Sequence, residues 1–137
     1  MEPKLTHICL HVASIERCAK FYREYARMRI IDDQSGVGQG NIFMTCNDSP
    51  GGPILQLMGG GPVTRSIDNI RHGDSHMGFD VGSVDEVVDI AQRARQEGIL
   101  LWEPDSWIPG AWFCGLLDPN GNCIEFSHNH PLPKNTG

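Results

Sequence analysis

The sequence predicts an α+β fold built from two tandem βαβββ modules. Three observations carry that expectation. Two stretches of the chain fall into register when it is shifted by 69 positions. Each stretch opens with a short alternating strand that leads into an amphipathic helical run. Each closes with three short strand-like runs broken by turn-forming residues.

The register is easiest to see at the start and end of each half. Thr6-His7-Ile8-Cys9-Leu10-His11-Val12 falls over Ser75-His76-Met77-Gly78-Phe79-Asp80-Val81, and Ser14-Ile15-Glu16 over Ser83-Val84-Asp85. Much later, Ser49-Pro50-Gly51-Gly52-Pro53-Ile54-Leu55-Gln56-Leu57 falls over Asp118-Pro119-Asn120-Gly121-Asn122-Cys123-Ile124-Glu125-Phe126. Identities are few, but one constant offset links three separate segments.

The elements follow in order. Residues 5–12 alternate as a strand does, with Ile8, Leu10 and Val12 on one side and His7, Cys9 and His11 on the other. Ser14 is placed to cap a helix whose apolar residues fall at 15, 18, 19, 22, 25 and 26. Short strands are expected at 29–33, 41–46 and 54–58, with Ser49-Pro50-Gly51-Gly52 as the last turn. A joint at 59–74, containing Gly59-Gly60-Gly61 but no phosphate-loop ending, leads into the second half.

There the His76 strand precedes Ser83-Val84-Asp85-Glu86, a capping-box pattern. Its helix is apolar at 84, 87, 88, 91 and 94 and stops at Gly98. Strands are expected at 99–103, 111–117 and 123–127, the last preceded by Asp118-Pro119-Asn120-Gly121. Module one thus spans about 5–58 and module two about 75–128, with a polar tail at 129–137, within a single domain.

Bulk properties exclude several classes. The chain has 137 residues and a net charge of −6, which disfavours nucleic acid. Lys20, Arg23, Arg27 and Arg29 read as a solvated helix face. With no long apolar run and no basic leader, the expected location is cytoplasmic, away from membranes. Five cysteines without a CxxC pair are expected as reduced, small, buried side chains, Cys9 and Cys123 included.

Four polar residues stand out. His7 and His76 are repeat partners at the start of first strands, and Gln56 and Glu125 are partners in the middle of last strands. A carboxylate between apolar neighbours is unfavourable to bury unless something positive meets it. Each residue alone has an ordinary explanation. As a symmetric set they offer two imidazoles, an amide oxygen and a carboxylate, a plausible set of donors for one divalent ion. Trp102, Trp107, Trp112 and Phe113 are read mostly as core, with Phe113 as the apolar contribution to a substrate pocket. His72, His128 and His130 read as surface or joint residues.

Over residues 5–128 these features resemble the vicinal oxygen chelate superfamily. The marks are the His7 strand with Ala19-Lys20-Phe21-Tyr22 on its helix, the His76 strand and helix, and Asp118-Pro119-Asn120-Gly121-Asn122-Cys123-Ile124-Glu125. The last is close to the family's DPDGN-x-x-E signature.

The resemblance implies a cupped mixed sheet around one divalent metal (Zn, Ni, Co, Mn or Fe) ligated by His7, Gln56, His76 and Glu125. It implies a small-molecule substrate with two adjacent oxygens and, commonly, a homodimer. Glu125 would act as both ligand and base, a role an amide at Gln56 cannot share because it does not titrate. His11 and Asp80 would lie beside the ligands, either as an acid–base pair touching substrate or as a structural hydrogen-bonded pair.

Departures from the family's patterns shape the functional expectation. Bacterial glyoxalase I usually has Glu at the position of Gln56 and a basic residue near His11, so glutathione chemistry is disfavoured. The ligand set resembles methylmalonyl-CoA epimerase, but Gly40-Asn41-Ile42-Phe43-Met44-Thr45-Cys46 lacks that enzyme's second acid. The expectation is therefore an isomerase or lyase using Glu125 as single base on a small α-oxygenated carbonyl compound or thioester. The alternatives are an iron-dependent dioxygenase on the same fold and a drug-binding resistance protein without catalysis.

Overall fold

The structure, a computed structural model, describes residues 1–46, 51–64, 66 and 75–133. Ser49 and Pro50 of the first predicted turn, His72 with most of the joint, the side chain of Trp107 and the end of the tail lie outside the described residues. The chain divides into two compact units, Met1–Thr64 and Arg65–Gly137. Both have the predicted α+β, βαβββ composition.

In the first unit β1 (His7–His11), α1 (Ile15–Tyr25), β2 (Arg29–Asp33), β3 (Asn41–Thr45) and β4 (Ile54–Met58) form a sheet of order β1-β4-β3-β2 with one helix. β1 pairs in parallel with β4, and the other pairs are antiparallel. Ser14 caps α1 by accepting from the Arg17 amide at 3.3 Å. The helix ends where Arg27 takes a left-handed φ of 53° and the Met28 amide returns to the Tyr22 carbonyl. Ile15, Cys18, Ala19, Phe21, Tyr22 and Tyr25 are buried, and α1 packs on β3 and β4. Phe21 joins the predicted stripe, while Ala26 becomes the cap. Fully buried large apolar side chains such as Tyr22, Met44 and Leu57 contribute about 1.5–3 kcal/mol each.

In the second unit β5 (His76–Asp80), α2 (Val84–Gln96), β6 (Leu100–Ile108), β7 (Ala111–Leu117) and β8 (Cys123–His128) repeat the order as β5-β8-β7-β6. Ser83 accepts from the Glu86 amide at 3.1 Å, and the Glu86 carboxylate turns back to the Gly82 amide at 2.6 Å. Gly98, at φ 74°, closes the helix: its amide reaches the Arg95 carbonyl and the Ile99 amide reaches that of Ala94. Val87, Ala91 and Ala94 are the buried stripe of α2, and the two small residues let the helix sit close to β7 and β8. The opposing sheet face, Cys114, Leu116, Ile124 and Phe126, is fully buried.

β6 runs five residues past its predicted end, through Pro104 to Ile108. The strand continues because β6 is an edge strand, with register shifts along its length. Proline is tolerated on such an edge, where no partner needs its amide.

Strand register bears out the repeat. His7 pairs with Ile54 and Cys9 with Gln56 in one unit; His76 pairs with Cys123 and Gly78 with Glu125 in the other. The 69-residue offset holds at the first strands, the helix starts and the last strands but not between them: α2 is two residues longer than α1, and the third strand is shifted by three. Gln56 faces Phe43, whereas Glu125 faces Gly115, which lies 72 positions after Phe43. Three residues gained before β7 are given back in the shorter turn before β8.

Candidate functional site

The turn before β8 is what aims Glu125. Asp118 is buried, and its carboxylate accepts from the Asn120 amide, the Asn122 amide and the Asn122 side chain, each at 2.9 Å. With the Asp118 amide donating to the Asn122 carbonyl at 2.9 Å, the five residues form a closed loop that hands the chain to β8 in one register.

Glu125 then stands mid-strand, 4% exposed, on the sheet face away from α2. Its neighbours on both sides are glycines, Gly78 on β5 and Gly115 on β7. A Cβ on Gly78 would come within 3.2 Å of Glu125 Oε2. A Cβ on Gly115 would meet the Trp102 ring at 2.3 Å, so the indole lies flat over that glycine. Trp102 also meets the His76 ring edge-on, with centroids 5.7 Å apart. The two glycines thus leave a slot for a carboxylate, and Trp102 walls one side and braces His76.

Two imidazoles address the same carboxylate oxygen. Nε2 of His76 stands 3.9 Å from Glu125 Oε2, and Nε2 of His130 stands 3.6 Å from it. Both separations exceed an ordinary hydrogen bond. Donors bound tetrahedrally about 2.1 Å from one ion stand about 3.4 Å apart. Among the described residues no three His, Cys, Asp or Glu side chains are yet gathered tightly enough to hold a metal ion. The donor chemistry nevertheless fits a divalent ion: imidazole nitrogens and a carboxylate, with a glycine cradle at its oxygen. A pocket of about 320 Å3 opens here, lined in part by His76, Gly78, Asp80, Glu125, Ser127 and His130.

The expectation that His130 is a surface residue is corrected by this geometry. Asn129 takes a left-handed φ of 55° and donates its side-chain amide to the Gly110 carbonyl at 3.2 Å. That turn breaks the alternation of β8 and folds His130 back over Glu125. The signal in the sequence is an asparagine, tolerant of φ > 0, at a strand end just before a histidine and a proline. His128 is half-buried too, with Nδ1 at 2.9 Å from the Val81 carbonyl.

The remaining predicted residues fall as follows. Asp80 is exposed at the end of β5 and lines the pocket. Phe113 shares the Glu125 face, opposite Ser127, but is buried and does not line the pocket. His7, Gln56 and His11 lie on one face of the first unit's sheet. His7 is exposed with Nδ1 2.9 Å from Thr6 Oγ1, and Gln56 is half-buried, donating its amide to Asn41 Oδ1 at 2.8 Å. His11 Nε2 lies 3.1 Å from the Gly59 carbonyl.

Cysteines depart in part from expectation: Cys18, Cys114 and Cys123 are buried, but Cys9 and Cys46 are exposed. Cys9 sits on edge strand β1, on the sheet face it shares with Gln56. Burial pushes the Cys114 thiol up to about 12, and the carboxylates of Glu125 and Glu103 add to the shift. Lys20, Arg23, Arg27 and Arg29 are exposed, but only Lys20 and Arg23 belong to a helix face: Arg27 follows the cap of α1 and Arg29 opens β2. No helix among the described residues is long and apolar enough to cross a membrane.

Residues 4–126 match the family described as the Glyoxalase/Bleomycin resistance protein/Dioxygenase superfamily. The chain belongs to that superfamily. It is 38% identical over 134 residues to the uncharacterized protein PA2024 of Pseudomonas aeruginosa, covering 96% of this chain and 93% of the relative. A possible glyoxalase from Bacillus cereus is similar in structure at a TM-score of 0.64 and 26% identity, covering 90% of this chain and 96% of that one. The fosfomycin resistance protein FosX of Listeria monocytogenes shares the fold at a TM-score of 0.68 and 17% identity, over 95% and 96% of the two chains. FosX has also been solved with manganese(II) and sulfate. This superfamily includes metalloenzymes, and the vicinal oxygen chelate assignment made from the repeat and the Asp118–Glu125 segment is thereby established.

Proposed function

We propose that the chain is a metal-dependent isomerase or lyase acting on a small α-oxygenated carbonyl compound or thioester. The observation that carries this reading is Glu125, a carboxylate buried mid-strand between two glycines with imidazoles at one of its oxygens. In this reading His76 and Glu125 ligate the ion, and sequence symmetry nominates His7 and Gln56 as the others. Manganese(II) is the first ion to test, because it is the one bound in a FosX structure.

A divalent ion bound there supplies Lewis-acid stabilisation of the charge that builds on a substrate's paired oxygens as its α-proton leaves. Glu125 takes that proton. Its slot beside Gly78 gives the carboxylate room to turn toward substrate without displacing a side chain on β5. Trp102 holds the His76 ring in place during this movement. Asp80 and Ser127, on the same pocket wall, orient the substrate's polar groups. Gln56 contributes an amide without titrating. Cys114 takes no part as a nucleophile, since its raised pKa and its place on the helix-covered face keep it protonated.

The test is turnover of α-hydroxy carbonyl compounds and acyl thioesters by protein loaded with single metals, alongside Glu125→Gln. The variant is expected to lose turnover and to weaken metal binding only in part. Unchanged turnover in it would remove Glu125 from the mechanism. Oxygen consumption with iron alone would replace the isomerase or lyase with a dioxygenase.

A further inference from the structure

Resting on the metal reading above, we propose that His130 is a metal ligand, making the second module a three-donor site of His76, Glu125 and His130. The geometry is direct. Nε2 of His130 approaches Glu125 Oε2 more closely than Nε2 of His76 does, 3.6 Å against 3.9 Å, and both rings converge on that one oxygen. The His130 side chain is also the less exposed of the two, 26% against 36%. The carboxylate between them is 5% exposed.

The segment that carries His130 is tied to the turn between β6 and β7 just before it, and it turns tightly just after it. Asn129 is bonded to Gly110, and the Leu132 amide returns to the His130 carbonyl at 2.8 Å. An imidazole held over the carboxylate by a turn anchored at Asn129 loses part of its freedom before it ligates. This donor is peculiar to the second module. The position 69 residues earlier is Gly61, which has no side chain and where a Cβ would strike the His11 backbone at 2.7 Å. His130 is therefore not a by-product of the repeat.

A further imidazole changes which ion the site prefers. Imidazole suits cobalt, nickel, zinc and iron, whereas manganese favours oxygen donors. With His130 as a ligand, selectivity shifts toward the nitrogen-preferring ions, and removing it moves selectivity back toward manganese.

The experiment uses the full chain, free of any affinity tag, loaded separately with cobalt(II) and manganese(II). Chelator competition gives each Kd for the native protein and for His130→Ala, His76→Ala and His128→Ala. Pulsed EPR of the manganese form counts coordinated imidazole nitrogens, and circular dichroism checks that each variant is folded. His130→Ala is expected to weaken cobalt(II) about tenfold or more, to weaken manganese(II) less, and to lower the nitrogen count by one. His128→Ala, whose ring is engaged with Val81, leaves all three readings unchanged. If His76→Ala loses affinity while His130→Ala keeps the native Kd and nitrogen count, His130 is no ligand and the metal reading stands. If the native protein takes up no metal, both fall together.

Discussion

Gly78→Ala separates the demands of the fold from those of the site. Gly78 has no positive φ that would exclude alanine, and the added Cβ meets only Glu125 Oε2, at 3.2 Å. For the backbone the change is favourable: glycine within a strand is about 0.5–1 kcal/mol worse than alanine. Against this stands one tight contact, relieved if the carboxylate moves a few tenths of an ångström. The net effect on stability is zero to about +1 kcal/mol, a rise in Tm of up to about 4 °C for a chain of this size.

Function should respond the other way. The carboxylate yields, and a displaced ligand and base lowers kcat about tenfold, equivalent to about 1.4 kcal/mol of transition-state stabilisation. Metal Kd rises with it. The assay is thermal unfolding beside steady-state turnover and metal titration on one preparation. A variant with raised Tm and wild-type kcat and metal Kd would refute the claim that the glycine slot sets the carboxylate's position. Gly115→Ala is the contrast: its Cβ would meet the Trp102 ring at 2.3 Å, an overpacking expected to cost about 1–3 kcal/mol.

Asp118→Ala strands three donors that now share one buried carboxylate, so urea denaturation should show a loss of about 2–4 kcal/mol; a loss under 1 kcal/mol would show that the turn holds itself. At pH 8 an aromatic disulfide reagent should label Cys9 and Cys46 quickly and leave Cys18, Cys114 and Cys123 until the protein unfolds. Rapid modification of Cys114 in the folded protein would contradict its burial. The folded state holds the Cys114 proton more tightly than the unfolded state does, so its contribution to stability is whole below pH 9 and fades as pH rises toward about 12. That decline is at most about 1.4 kcal/mol per pH unit, and Cys114→Ala should remove that part of the slope.

The features legible in the sequence are those set by local periodicity and by the repeat. The alternation of His7 to Val12, the caps at Ser14 and Ser83 and the stop at Gly98 each depend on neighbouring residues, and each stands as expected. The extension of β6 through Pro104 was hidden because proline's usual meaning reverses on an edge strand. The Gly78–Glu125–Gly115 slot was half visible: the offset aligns Gly78 with Cys9, but the shift at β7 conceals that Gly115 faces Glu125. The placement of His130 is not legible from the strand pattern, because it depends on one left-handed residue, Asn129. The exposure of Cys9 is not legible, since apolar neighbours in sequence do not reveal which face of an edge strand is buried.

Metal content tests the central claim most directly. Protein purified without an affinity tag, stripped, and reloaded with manganese(II), cobalt(II), nickel(II) or zinc(II) should retain about one ion per site by elemental analysis. Retention should fall steeply in His76→Ala and only in part in Glu125→Gln, while turnover is lost in both. A native protein that carries no ion, takes none up on reconstitution and turns over substrate equally well in strong chelator would contradict the account.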